Sequence, residues 1–166
     1  MIDLLSIDGC SRFLLTTDGD ASFIKAYHGG ILSAFCAFTH HDTRRELKTF
    51  FMRADLDNFA LALESMRVNL IQNSQSTLWS NDGRVIFTLV VMSLGRIRCN
   101  CLLSQGTLDE EVEVKTQPLL KEYGLLDEDD YRETIRLFGR FEIDQSFLPT
   151  LVAEVRQLST RYDDTA

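Results

Sequence analysis

From Leu56 onward, apolar residues recur at Leu56, Phe59, Ala60, Leu63, Met66 and Leu70. That i, i+3, i+4, i+7 spacing sets one stripe of a helix against a core. It predicts a helix with Asp55 as N-cap, Asp57 near the positive end of its dipole, and an end at Asn73 and Ser74. The chain before it alternates instead. Asp3–Ile7, Arg12–Thr16, Ser22–Tyr27 and Ile31–Thr39 are apolar-rich runs divided by Asp8–Gly9, Asp18–Gly19 and Gly29–Gly30. Such pairs tolerate the positive φ of a tight hairpin, so an antiparallel meander is expected.

A second hairpin series follows the helix. Thr77–Ser80 turns at Asn81, Asp82 and Gly83 into Arg84–Met92, which turns at Ser93, Leu94 and Gly95 into Arg96–Leu103. Val85, Ile86, Phe87, Leu89, Val90, Val91 and Met92 are apolar on both faces, which predicts a central strand. On the next strand Ile97, Cys99, Cys101 and Leu103 face one way and Arg96, Arg98 and Asn100 the other, which predicts one wet face. Further on, Ile135, Leu137, Gly139, Phe141 and Ile143 alternate with Thr134, Arg136, Phe138, Arg140 and Glu142 as a last strand. After a turn at Asp144–Ser146 comes a helix with apolar Leu148, Leu151, Val152, Val155, Leu158 and Tyr162, Ser146 as N-cap and Pro149 in the first turn.

Residues 104–131 break this rhythm. They are acidic, contain Pro118, and predict a short helix near Pro118–Tyr123 stopped by Gly124. The expected architecture is α+β: a twisted antiparallel sheet of about six to eight strands with two main helices packed on one face. Residues 1–166 read as one domain with an acidic excursion at 104–131.

Composition narrows the function more than it names it. Hydrophobic residues make up 45% of the 166, enough for a real core. The net charge of −8 argues against nucleic acid as a partner, because phosphate affinity comes from clustered Lys and Arg. No apolar run reaches the length of a membrane span, and the opening MIDLLSIDGC lacks a cationic n-region, so a cytoplasmic protein is expected. Cys10, Cys36, Cys99 and Cys101 form no disulfide framework.

A search for chemistry returns little. His40, His41 and Asp42 are adjacent, and neighbours on a strand point to opposite faces, so a polar strand end entering a turn is the expectation. Cys99 and Cys101 point the same way but lack the paired ligands of a structural zinc site, and read as buried apolar sulfur. No nucleophile elbow, phosphate loop or zinc-protease pair occurs, so no catalytic residue, metal or cofactor is assigned. Two acidic clusters stand out: Asp109, Glu110, Glu111 and Glu113, then Asp127, Glu128, Asp129 and Asp130 beside Tyr131. They read either as a solvated, solubilising loop or as an anionic patch for a cationic partner, with Leu125, Leu126 and Tyr131 as apolar anchors.

The segment Phe141–Glu142–Ile143–Asp144–Gln145–Ser146–Phe147–Leu148–Pro149, entering an amphipathic helix, resembles the C-terminal end of the WapI-type immunity family of bacterial polymorphic toxin systems. Phe50–Phe59 resembles the entry to that family's first helix, and the Trp79–Arg84 hairpin is similar to one in related uncharacterised bacterial families. Together they cover about a third of the chain, and the motifs are structural ones, with no site among them. The resemblance implies an immunity protein that neutralises a cognate, basic toxin domain by stoichiometric binding and active-site occlusion, without catalysis. On that reading Glu110, Glu111, Glu113, Asp127, Glu128, Asp129, Asp130 and Tyr131 are the partner-binding residues. An adaptor or secretion-associated chaperone, and a small hydrolase using a carboxylate pair, are the alternatives. The oligomeric state stays open, since Arg96, Arg98 and Asn100 could be covered by a second copy.

Overall fold

Asp82 organises a sharp turn between two strands. Its Oδ1 accepts from the Ser80 hydroxyl at 2.7 Å, the Thr49 hydroxyl at 2.5 Å and the Arg84 N–H at 3.2 Å. Gly83 supplies the positive φ of 67° that the reversal needs. In a computed structural model describing residues 1–17, 30–105 and 135–160, this turn joins β5 (Gln75–Trp79) to β6 (Val85–Val91). The remaining strands are β1 (Ile2–Leu5), β2 (Ser11–Thr17), β3 (Ile31–His40), β4 (Thr43–Met52), β7 (Arg96–Gln105) and β8 (Ile135–Asp144), with helices α1 (Arg53–Val68) and α2 (Leu148–Thr160).

The architecture is α+β, as the alternation and the two helical stripes predict. The strands divide into two antiparallel sheets of four, ordered β1-β2-β3-β4 and β5-β6-β7-β8. Both sheets turn one face inward. Phe13 of β2 stacks on Phe87 of β6 with ring centroids 4.3 Å apart, and Phe38 of β3 meets Phe141 of β8 at 5.9 Å. Gly139 is required where Phe38 crosses β8, since a Cβ there would lie 2.3 Å from the ring. Each fully buried Phe or Leu contributes about 1.5–3 kcal/mol relative to exposure, and the inner faces hold many of them.

Backbone bonds tie the sheets at two places. Ile7 N–H donates to the Glu142 carbonyl at 2.9 Å, and Asn81 N–H donates to the Phe50 carbonyl at 2.6 Å. The helices pack against each other, with Phe59 of α1 edge-on to Phe87. The Ser159 hydroxyl near the end of α2 bonds Asp57 near the start of α1, so the pair runs antiparallel.

Several boundaries differ from the sequence expectation. α1 starts at Arg53, so Asp55 lies in its first turn and Met52 is the N-cap, with no side-chain bond. The Arg53 N–H is satisfied instead by the Gly30 carbonyl at 3.2 Å, a long-range partner that local sequence does not reveal. The helix ends at Val68 with Asn69 as C-cap, which leaves Leu70 exposed and Asn73 in the loop beyond it. β4 carries no clean alternation in Thr43–Lys48, a run with four charges, and was not predicted; ten paired positions with β3 hold it in place. Before α2 a 3-10 turn (Gln145–Phe147) is capped by Asp144, whose carboxylate accepts the Ser146 N–H at 2.8 Å. Ser146 is therefore capped where a cap was expected of it. Pro149 does sit in the first turn of α2. The expected strand Ser22–Tyr27 and the short helix near Pro118–Tyr123 lie outside the described residues.

Candidate protein-binding surface

The predicted contact residues Glu110, Glu111, Glu113, Asp127, Glu128, Asp129, Asp130 and Tyr131 lie outside the described residues. The described fold fixes where that segment leaves and returns. Gln105 ends β7, Ile135 begins β8, and the two are paired in register. Residues 106–134 carry ten acids against three bases, so seven of the eight net negative charges fall in this one segment. The rest of the chain is close to neutral.

Beside that exit, the side of β5–β8 turned away from the core forms in-register rows. Trp79, Ile86, Leu102 and Phe138 make an apolar one, with Ile86 and Leu102 buried and Trp79 and Phe138 partly exposed at the ends. Next to it Thr77 and Thr88 join hydroxyls at 3.0 Å, and Arg140 Nε donates to Asn100 Oδ1 at 3.1 Å. Asn100 is fully buried, against the expectation of a wet face; a buried amide needs a partner, and Arg140 gives it one. The third row pairs Arg98 with Glu142, and Arg96 closes the series with a 3.2 Å ion pair to Glu142.

Against this third row lies the β1–β2 turn. Ser6, Ile7, Asp8, Arg96, Arg98, Arg140, Phe141 and Glu142 line a cleft of about 420 Å³. The turn is held rigidly: the Ser6 hydroxyl donates to Asp8 and accepts the Ser11 N–H at 2.9 Å, while Asp8 also takes the Cys10 N–H at 2.9 Å. These bonds, the Ser6 hydroxyl foremost, hold the Asp8 carboxyl below the usual carboxylate range. Arg96 and Arg98 were legible as a polar edge. Arg140 was not legible as their neighbour, because the β7–β8 register depends on where a long insertion ends.

His40 and His41 stand at the β3–β4 turn. His41 takes a left-handed φ of 49°, so the rule that strand neighbours point apart does not hold there, and the His40 and His41 rings meet at 4.4 Å. His40 Nδ1 bonds the Ser11 hydroxyl at 2.7 Å. Among the described residues no group of three His, Cys, Asp or Glu is placed to hold a metal ion. Cys36, Cys99 and Cys101 are buried, as expected of apolar sulfur, and burial pushes all three thiols up.

Several connections leave apolar side chains exposed. The 69–74 loop bonds Val91 through Asn73 N–H and Ser74 O, and Gln145 packs on Gly95, so three connections meet. They expose Val68, Leu70, Ile71, Leu94 and Phe147. Leu94 is 94% exposed with a φ of 58°, a left-handed conformation disfavoured for a branched side chain. Leu70 falls on the predicted helical stripe, while Ile71, Leu94 and Phe147 lie in connections, where no period marks them.

No protein-family model matches the chain. No curated protein matches it either. Among solved structures it is similar to a chain from the CdiA-CT/CdiI toxin and immunity complex of Enterobacter cloacae, over 87% of this chain and 99% of that one, at 9% identity and a TM-score of 0.41. That likeness is a loose one of layout and carries no argument about a site. No described helix is long and apolar enough to cross a membrane.

Proposed function

We propose that this protein is a cytoplasmic immunity protein that neutralises a cognate toxin domain by stoichiometric binding over its active site, with no catalytic step of its own. The observation that carries the reading is the confinement of seven of eight net charges to residues 106–134. Crowded carboxylates repel one another in the free protein, and a basic partner relieves that repulsion on binding. A basic toxin such as a nuclease has a cationic cleft for its substrate, which an acidic segment mimics. The resemblance of Phe141–Pro149 to the WapI-type strand-to-helix entry supports the same reading, now with its Asp144 cap identified.

If the neighbouring reading frame encodes a toxin-like domain, co-expression with it tests the function directly: growth is restored and a one-to-one complex is recovered. Failure to rescue, with no complex, rejects it. Exchanging Asp127, Glu128, Asp129 and Asp130 for Lys weakens the complex by more than about tenfold at low salt, since interfacial charge pairs carry both encounter rate and affinity. Unchanged affinity takes that cluster out of the interface. The exposure of Leu70, Ile71, Leu94 and Phe147 favours a second reading, an adaptor or secretion-associated chaperone. Such a protein accepts several or unfolded clients, whereas an immunity protein binds one folded domain.

A further inference from the structure

We propose that the cleft between the Ser6–Asp8 turn and the outer side of β7–β8 binds a single carboxylate group, gripped by the Arg98 guanidinium. The inference is independent of the immunity reading.

Three guanidiniums line the cleft and their commitments differ. Arg96 is paired with Glu142 at 3.2 Å, and Arg140 donates to the buried Asn100 side chain at 3.1 Å. Arg98 is half-buried between them, faces the cleft, and makes no ion pair with any carboxylate among the described residues. Its cross-strand neighbour Glu142 turns to Arg96 instead. A guanidinium carries five donors in a planar fork and loses hydration when partly buried, so an uncommitted one lining a concavity suits an incoming planar oxyanion.

The surroundings choose the anion. Asp8 and Glu142 stand at the same cleft, so its net charge is only one positive unit. A monoanionic carboxylate balances that unit, and its two oxygens match the guanidinium fork bidentately. The second charge of a phosphate would meet the two resident carboxylates. The floor is preformed: Ile7 N–H is fixed to the Glu142 carbonyl, and Ser6 Oγ is fixed between Asp8 and Ser11 N–H. A ligand therefore meets walls that are already rigid, and binding orders little besides the Arg98 side chain.

A carboxylate can come from an acidic side chain or from a chain terminus, and the experiment separates them. The full-length protein, labelled with 15N, is titrated at low ionic strength with N-acetylglutamate α-amide, with N-acetyl-alanyl-glycine and with inorganic phosphate, following the arginine Nε–Hε signals. The expected result is a saturable shift of the Arg98 signal with one or both carboxylates. Saturation by the glutamate derivative identifies a side-chain ligand, and saturation by the peptide acid a chain terminus. Binding weakens about tenfold or more in both Arg98→Ala and Arg98→Lys, since Lys keeps the charge but loses the fork. Arg98→Lys also serves as the folded control should the Ala variant lose stability. Shifts that rise linearly for all three anions, tighter binding of phosphate than of either carboxylate, or undiminished binding to a folded Arg98 variant would each overturn the proposal.

Discussion

On the β1–β4 sheet the side chains turned away from the core include Arg12, Arg44, Glu46 and Lys48, all exposed. On the β5–β8 sheet the corresponding face has Ile86, Thr88, Asn100 and Leu102, all at 3% exposure or less. The inner faces are alike and share one core. The sheets thus differ in what their outer faces cost to change. A charged outer residue of the first sheet such as Lys48 is replaced against water, while one in the middle of the second is replaced inside a packed and partly polar layer, where partners must be matched.

The largest effect tests what the sheets share. Phe87 is fully buried, stacked on Phe13 from the other sheet and edge-on to Phe59. Phe87→Ala removes contacts to all three layers and costs about 3–5 kcal/mol in denaturant unfolding. A loss below about 1 kcal/mol would mean that the sheets do not share a core. The outer faces separate next. Asn100→Ala removes the side-chain oxygen that accepts from Arg140 Nε and leaves a space among buried neighbours, and costs about 1–3 kcal/mol. Lys48→Ala on the first sheet changes stability by about 0.5 kcal/mol or less, allowing for its contact with the Phe35 ring. Equal losses at the two positions would erase the distinction between the faces.

The sequence discloses these regions unevenly, for physical reasons. Strand β6 is buried at all seven positions, and its apolar run, interrupted only by Thr88, predicts a central strand. Strand β8 kept Phe138 and Arg140 outward and Phe141 and Ile143 inward, as its period of two required. Asn100 misled because alternation reports polarity, and a polar side chain with a buried partner imitates one facing water. The α1 boundaries slipped because the Gly30 carbonyl, distant in sequence, does the work expected of an Asp55 cap. The cleft was half visible: Arg96 and Arg98 lie in one strand, but Arg140 and the Ser6–Asp8 turn reach them only through tertiary register. For the acidic clusters the sequence offers only local charge and the neighbouring Leu125, Leu126 and Tyr131, with no period to give them a place in the fold.

The smallest effect concerns acid, and it compares the two sheets through their carboxylates. Asp3 and Asp8, on β1 and its turn, are held low by the Arg12 guanidinium and the Ser6 hydroxyl respectively. Asp144, at the end of β8, is held low by the Ser146 hydroxyl and N–H. A carboxyl whose folded pKa lies below its unfolded value stabilises the fold above the unfolded value of 3.8, and that contribution disappears as pH falls through the folded one. Glu154 acts in the opposite sense. Burial raises it, so its contribution is complete below its ordinary 4.5 and is lost as pH rises through the folded value. With Glu64, held low by the Arg67 guanidinium, as a fourth depressed group against one raised, the melting temperature is predicted to drop as pH falls below the ordinary carboxylate values. Asp144→Ala lowers the melting temperature slightly at neutral pH, and the gap to the parent protein closes as acid protonates the cap in the parent. A gap that stays constant from neutral pH down to the acid transition would mean that Asp144 acts through packing and that its charge does not cap the turn before α2.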